Sequence, residues 1–199
     1  MFIYEKRLQY PIKVEHPNPK LASIIISQYG GPDGELGASL RYLSQRYSMP
    51  NARLKALLTD IGTEELGHLE MVGTLVHQLT RKLSDEEIRN NEGFAPYFVD
   101  HGTGVYPTAA SGFPWSAASM AVKGDPITDL TEDLAAEQKA RTTYDNILLL
   151  SDDPDVNDVI KFLRQREVVH FQRFGEAMEL LKDDLNQKNI YYMNPARNL

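Results

Sequence analysis

The strongest constraint on what this 199-residue chain can fold into is a short motif that occurs twice. Glu65-Leu-Gly-His68 and Glu167-Val-Val-His170 each set a glutamate three residues before a histidine, inside a stretch with helical apolar spacing. On a helix, residues three apart share one face, one turn apart, so each pair can converge on a single point. Either pair alone is a weak signal in a glutamate-rich chain. Their positions within the predicted helices give them weight.

Residues 1–19 hold Pro11, Pro17 and Pro19 among charged and tyrosine residues and are expected to form an irregular arm. From Lys20 to about Tyr47, Leu21, Ile24, Ile25, Leu36, Leu40 and Leu43 fall at helical spacing. Gly30, Gly31, Pro32 and Gly34 interrupt that helix, and the missing amide of Pro32 predicts a kink or break. Ser48 and Asn51 flank Pro50 and lead into a second helix, about 51–83. Residues 84–124 then turn rich in Gly, Pro and aromatics with no sustained period, the mark of a functional segment or a crossover. Asp125-Pro126 and Asp153-Pro154 each put a capping carboxylate before a proline suited to the first helical position. They open helices predicted over about 126–150 and 154–185, followed by a polar tail at 188–199.

Two helices, a long connection and two more helices predict an all-α, single-domain chain over 1–199. The arrangement is a ferritin-like four-helix bundle with one crossover, in which the second and third helices run parallel. The two helix pairs carry related polar residues, but no internal repeat is expected.

The first Glu-x-x-His pair lies midway along helix 2 and the second near the middle of helix 4, while helices 1 and 3 each offer one mid-helix carboxylate, Glu35 and Glu137. One Glu from each of two helices plus Glu-x-x-His from each of the other two is a dimetal pattern, for iron or manganese. Unpaired buried carboxylates are costly, and two divalent cations would balance four of them. Other polar residues have simpler expectations. Glu64 and Glu70 should be solvated or salt-bridged, His77 a helix-surface or packed residue, and His16 and His101 solvated. Glu132 and Asp133 should form a polar face.

At these residues the chain resembles the manganese catalase family, most closely its short spore-coat branch. The matching stretches are Gln28-Tyr-Gly-Gly-Pro-Asp-Gly-Glu35-Leu, Leu40-Arg-Tyr-Leu-Ser-Gln45 and Glu64-Glu-Leu-Gly-His68-Leu-Glu. Further matches are Pro114-Trp-Ser-Ala before Gly124-Asp, Asp133-Leu-Ala-Ala-Glu137 and Arg166-Glu-Val-Val-His170. The resemblance implies two manganese ions. Glu35, Glu65 and His68 would bind one, Glu137 and His170 the other, and Glu65 would bridge them. It implies that Glu167 is not a ligand but an acid/base beside the solvent bridges, and that Tyr42 hydrogen-bonds Glu35. Ala136 stands where some relatives carry Arg. The long C-terminal extension of some catalases has no counterpart, so neither calcium binding nor the full interlocked oligomer is expected.

The reaction so implied is disproportionation of hydrogen peroxide to water and oxygen. Hard carboxylates with two imidazoles suit manganese but also iron. Two rivals therefore stand beside the catalase: a di-iron storage or peroxide-reducing bundle, and a structural coat component with a vestigial site. The tyrosines near the ends (Tyr4, Tyr10, Tyr191, Tyr192) would suit interfaces or cross-linking with other coat proteins. The absence of cysteine excludes disulfides and thiolate metal sites. A net charge of −7 argues against nucleic acid. The start lacks the apolar core of a signal peptide and no run is long enough to span a membrane, so a cytoplasmic protein is expected, and the resemblance to the spore-coat branch implies a place in the coat as the alternative. A homo-oligomer built through the arms and crossover is also expected.

Overall fold

The structure is a computed structural model that describes residue 5 and residues 7–188. Tyr4, Tyr191, Tyr192 and the expected tail beyond Lys188 lie outside the described residues. The helices are α1 (Pro19–Gly30), α2 (Glu35–Gln45), α3 (Ala52–Thr80), α4 (Asp85–Arg89), α5 (Ala95–His101), α6 (Pro126–Leu150) and α7 (Pro154–Lys188). Among the described residues there is no strand, only an isolated bridge between Thr108 and Pro114.

The helix starts follow from local chemistry. Asn18, Asn51 and Asp125 accept the backbone N–H of Leu21, Leu54 and Thr128 at 3.0, 3.0 and 2.9 Å. Asp153 Oδ1 accepts from the Asp155 amide at 2.9 Å. Each cap satisfies a donor that the first helical turn leaves unpaired. The break expected at Pro32 is complete: α1 stops at Gly30, Gly31 is extended, and a new helix starts at Glu35. The second long helix stops at Thr80 instead of running to 83, because Arg81 turns extended and Lys82 takes a positive φ of 61°.

Two apolar layers organise the bundle, with the Glu-x-x-His pairs between them. Along α3, Leu54, Leu58 and Ile61 belong to one layer and Met71, Val72 and Leu75 to the other. α6 crosses in the same order, from Leu130 to Tyr144 and Ile147, so α3 and α6 run parallel. α7 crosses in reverse, from Val156, Ile160 and Leu163 to Phe174 and Ala177, as do α1 and α2 taken together. This is the ferritin-like arrangement, and it leaves one level in mid-bundle where side chains of α2, α3, α6 and α7 face one another without apolar filling.

The connection 84–124 packs on itself and against the bundle. Phe94 is buried and stacks on Tyr97, and His101 stacks on Tyr106 with ring centroids 3.9 Å apart. Its middle lies against the end of α1. A Cβ on Gly30 would sit 2.2 Å from the Pro107 carbonyl carbon, so only glycine allows this approach. Its last part is tied to α2, where Arg41 Nη2 donates to the Ser119 carbonyl at 3.1 Å and Gln45 Nε2 to that of Ala121 at 2.7 Å.

Candidate metal centre

Glu35 lies in the first turn of α2, Glu65 and His68 midway along α3, Glu137 midway along α6, and Glu167 and His170 on α7. All six are buried. Their donor atoms fall into two overlapping groups, Glu35–Glu65–His68–Glu167 and Glu65–Glu137–Glu167–His170, within each of which the atoms lie no more than 4.8 Å apart. Glu65 stands between the two imidazoles: His68 Nδ1 is 2.6 Å from its Oε2 and His170 Nδ1 is 2.8 Å from its Oε1. Glu35 Oε2 lies 3.9 Å from His68 Nδ1, and Glu137 Oε2 lies 3.6 Å from His170 Nδ1. Glu167 Oε1 is 4.0 Å from His68 Nδ1 and belongs to both groups.

Taking so many carboxylates out of water divides their acidities. Burial and the charge of Glu65 push Glu35 well above the usual carboxylate range, and burial followed by the charges of Glu65, Glu35 and Glu137 does the same to Glu167. Glu137 is raised mainly by burial. Burial also opposes ionisation of Glu65, but His170 and His68 outweigh it and hold Glu65 low. Burial works against charging the imidazoles too. The carboxylates, Glu65 foremost, outweigh it and raise His68 to about 10 and His170 to about 12. Buried polar atoms of these six residues remain without a well-formed hydrogen bond: Glu65 Oε1, both Glu137 oxygens, Glu167 Oε1, His170 Nδ1 and, on the far side of its ring, His68 Nε2. Unpaired buried donors aimed at one another form a cation-shaped demand.

The six residues expected from the sequence are brought together, but several neighbours differ from expectation. Glu35 takes its hydrogen bond from the Tyr144 hydroxyl, not from Tyr42. Tyr42 lies beside Glu137, whose charge adds to burial in raising the phenol. Each tyrosine stands beside the carboxylate of the other half of the chain. Glu35 and Glu137, Tyr42 and Tyr144, Glu65 and Glu167, and His68 and His170 are each separated by 102 residues, as are the caps Asn51 and Asp153. An internal repeat is therefore present, contrary to the expectation of none. It is carried by caps and polar positions, because apolar layers tolerate exchange among aliphatic residues. That spacing is the signal that would have found Tyr144.

Asp133 is buried with both carboxylate oxygens unpartnered, not part of a solvated face. It stands one turn before Glu137 on the same inward face of α6. Glu64 is salt-bridged, to Arg166 at 2.6 Å, and it also reaches both histidine rings. His77 and His16 are exposed, while His101 is half-buried in the aromatic stack instead of solvated.

The family described as manganese containing catalase matches residues 1–193 of this chain. The chain belongs to the manganese catalase family. This family member is 51% identical to Protein CotJC of Bacillus subtilis (strain 168) over 191 residues, covering 96% of this chain and 100% of that one. It is 36% identical to a probable manganese catalase of Clostridium acetobutylicum over 192 residues, 96% of this chain and 85% of the other. Among solved structures, KatB, a manganese catalase from Anabaena, superposes with a TM-score of 0.83 at 33% identity, covering 92% of the catalase-family chain and 81% of KatB. A dodecameric thioferritin from Bacteroides fragilis shares the fold alone, at 15% identity and a TM-score of 0.54.

Proposed function

We propose that this chain is a dimanganese catalase that converts two molecules of hydrogen peroxide to two of water and one of oxygen. The observation that carries the proposal is the buried convergence of four carboxylates and two imidazole Nδ1 atoms, most with unpartnered donors. The donor set fits two hard divalent cations. Glu35, Glu65 and His68 would hold one and Glu137 and His170 the other, with Glu65 shared between them. A manganese pair supplies a two-electron oxidant and a two-electron reductant in turn by cycling between its II,II and III,III states.

The chain's own part is proton handling and exclusion of water. One peroxide gives up two electrons and two protons as oxygen leaves, and the next takes up two of each to become two waters. A buried carboxyl whose proton affinity is raised by burial and by its anionic neighbours can hold such a proton. Glu167 Oε1, unpartnered and facing the shared centre, is that group. Tyr144 holds Glu35 in place through its hydroxyl, and the apolar layers on either side keep bulk solvent from the site.

One observation favours a second reading. Glu167 lies in both donor groups, as a ligand in a six-ligand di-iron site would. Whole-length similarity to Protein CotJC supports the spore-coat branch, and with it a coat location and coat-protein partners. Exposed apolar side chains such as Val99 (81% exposed) and Leu149 (83%) support a homo-oligomer. Protein produced in manganese-supplemented medium should contain about two manganese ions per chain and evolve oxygen from peroxide. Iron content with peroxide reduction and no oxygen would establish the di-iron reading, and absence of metal the structural one.

A further inference from the structure

The repeat is broken at one position beside the centre. The counterpart of Glu64, 102 residues on, is Arg166, and the two form an ion pair with each other. A symmetric repeat would give each histidine a carboxylate of its own. Here one carboxylate faces both. Glu64 Oε2 lies 3.1 Å from His170 Nε2, and its Oε1 lies 3.6 Å from His68 Nε2, just beyond hydrogen-bond length. Both contacts are made to the ring nitrogen opposite the Nδ1 that faces the donor group.

Glu64 is itself held in place. Arg166 donates from Nε to Oε1 at 2.6 Å and from Nη2 to Oε2 at 3.2 Å. Gln9, from the N-terminal arm, donates to Oε1 at 2.8 Å. Glu64 is thus the anion of a two-pronged ion pair with Arg166, with Gln9 on the same oxygen. An ionised carboxylate only accepts hydrogen bonds, so an imidazole facing it must carry its proton on Nε2. Its Nδ1 lone pair is then free for a metal, and the ring plane is fixed.

We propose that Glu64 is a single positioning residue for both halves of the centre, imposing the Nε2–H tautomer on His68 and His170 together and so presenting both Nδ1 atoms to the metals. The inference rests on the dimetal reading of the site. It adds that the two histidines are coupled through one anion, itself anchored by the second half of the chain and by the N-terminal arm.

The test uses the full chain loaded with zinc, which is diamagnetic and accepts the same nitrogen and oxygen donors. Nitrogen-15 NMR of the histidine rings should show two slowly exchanging Nε2–H signals in the wild type. Glu64→Ala should lose both protected signals and lower zinc affinity at both sites, each by about 10–100-fold. Glu64→Gln keeps the shape but offers an acceptor to only one ring, so one signal should survive and one site should weaken. A folded Glu64→Ala variant with both signals and both affinities unchanged, or with only one ring affected, would overturn the proposal. Wild-type protein that shows both signals with zinc yet evolves no oxygen with manganese would defeat the catalase reading and leave this assignment standing.

Discussion

At the scale of single residues, the centre is a contest between burial and charge, and Glu65 and Glu167 fall on opposite sides of it. Glu65 has an imidazole close on each side and is held low, whereas burial and the charges of Glu65, Glu35 and Glu137 push Glu167 well up. On the proposed function, that difference would separate a bridging ligand from a proton carrier. Glu167→Gln keeps the shape but removes the proton, and should retain both metals while turnover falls by about 10²–10⁴-fold. Glu65→Gln should instead lose metal, as measured by atomic absorption on the purified protein. Equal metal loss in the two variants would transfer the advantage to the six-ligand di-iron reading. The two Glu-x-x-His pairs were legible in the sequence because three-residue spacing on a helix fixes a shared face, and Glu35 and Glu137 only as lone mid-helix carboxylates that complete the four-helix pattern. The partner of Glu35 was not, since Tyr42 and Tyr144 are equally good tyrosines and only the packing of α2 against α6 decides between them.

At the scale of elements, the helix starts are set by caps and the connections by close approach. Asp153 caps α7, the helix that carries Glu167 and His170. Asp153→Ala should cost about 1 kcal/mol, lowering the melting temperature by about 2–4 °C for a chain of this size. The connection 84–124 is tied to α1 and α2 by backbone approach at Gly30 and by Arg41 and Gln45. Limited proteolysis of the metal-loaded protein should leave this connection intact. Rapid cleavage throughout it would show that these ties do not hold in solution. The capped starts at Asp125 and Asp153 could be read to the residue, because a cap is a local interaction. The short helices α4 and α5 were not foreseen: α5 is stabilised by its aromatic contacts with Tyr106 and Phe94, which no periodicity within the segment reveals.

At the scale of the whole molecule, the centre loads the bundle with buried charge that only cations or protons can balance. In the metal-free protein His68 and His170 are raised to about 10 and about 12. Glu35 and Glu167 are raised as well, chiefly by burial. Groups whose folded values exceed their unfolded ones contribute stability that is present at low pH and lost as pH rises through the folded values. Metal-free protein should therefore melt at progressively lower temperature from about pH 5 to pH 10. Metals displace those protons, so manganese should raise the melting temperature most at the alkaline end of that range. A melting temperature that rises with pH in the metal-free protein would contradict this. Sedimentation at micromolar concentration should show an oligomer, because side chains such as Val99 and Leu149 leave apolar surface that a single bundle does not cover.

The sequence by itself determined where the helices begin, where the first one breaks and which six side chains point inward, since caps, prolines and helical period act within a few residues. Only the tertiary structure decided how those side chains pair. That Tyr144 and not Tyr42 holds Glu35, that Asp133 is buried, and that one carboxylate, Glu64, faces two histidines 102 residues apart all depend on the register between helices distant in the chain. That register is set by how the two apolar layers interlock, and a side chain's own neighbours in sequence carry no record of it.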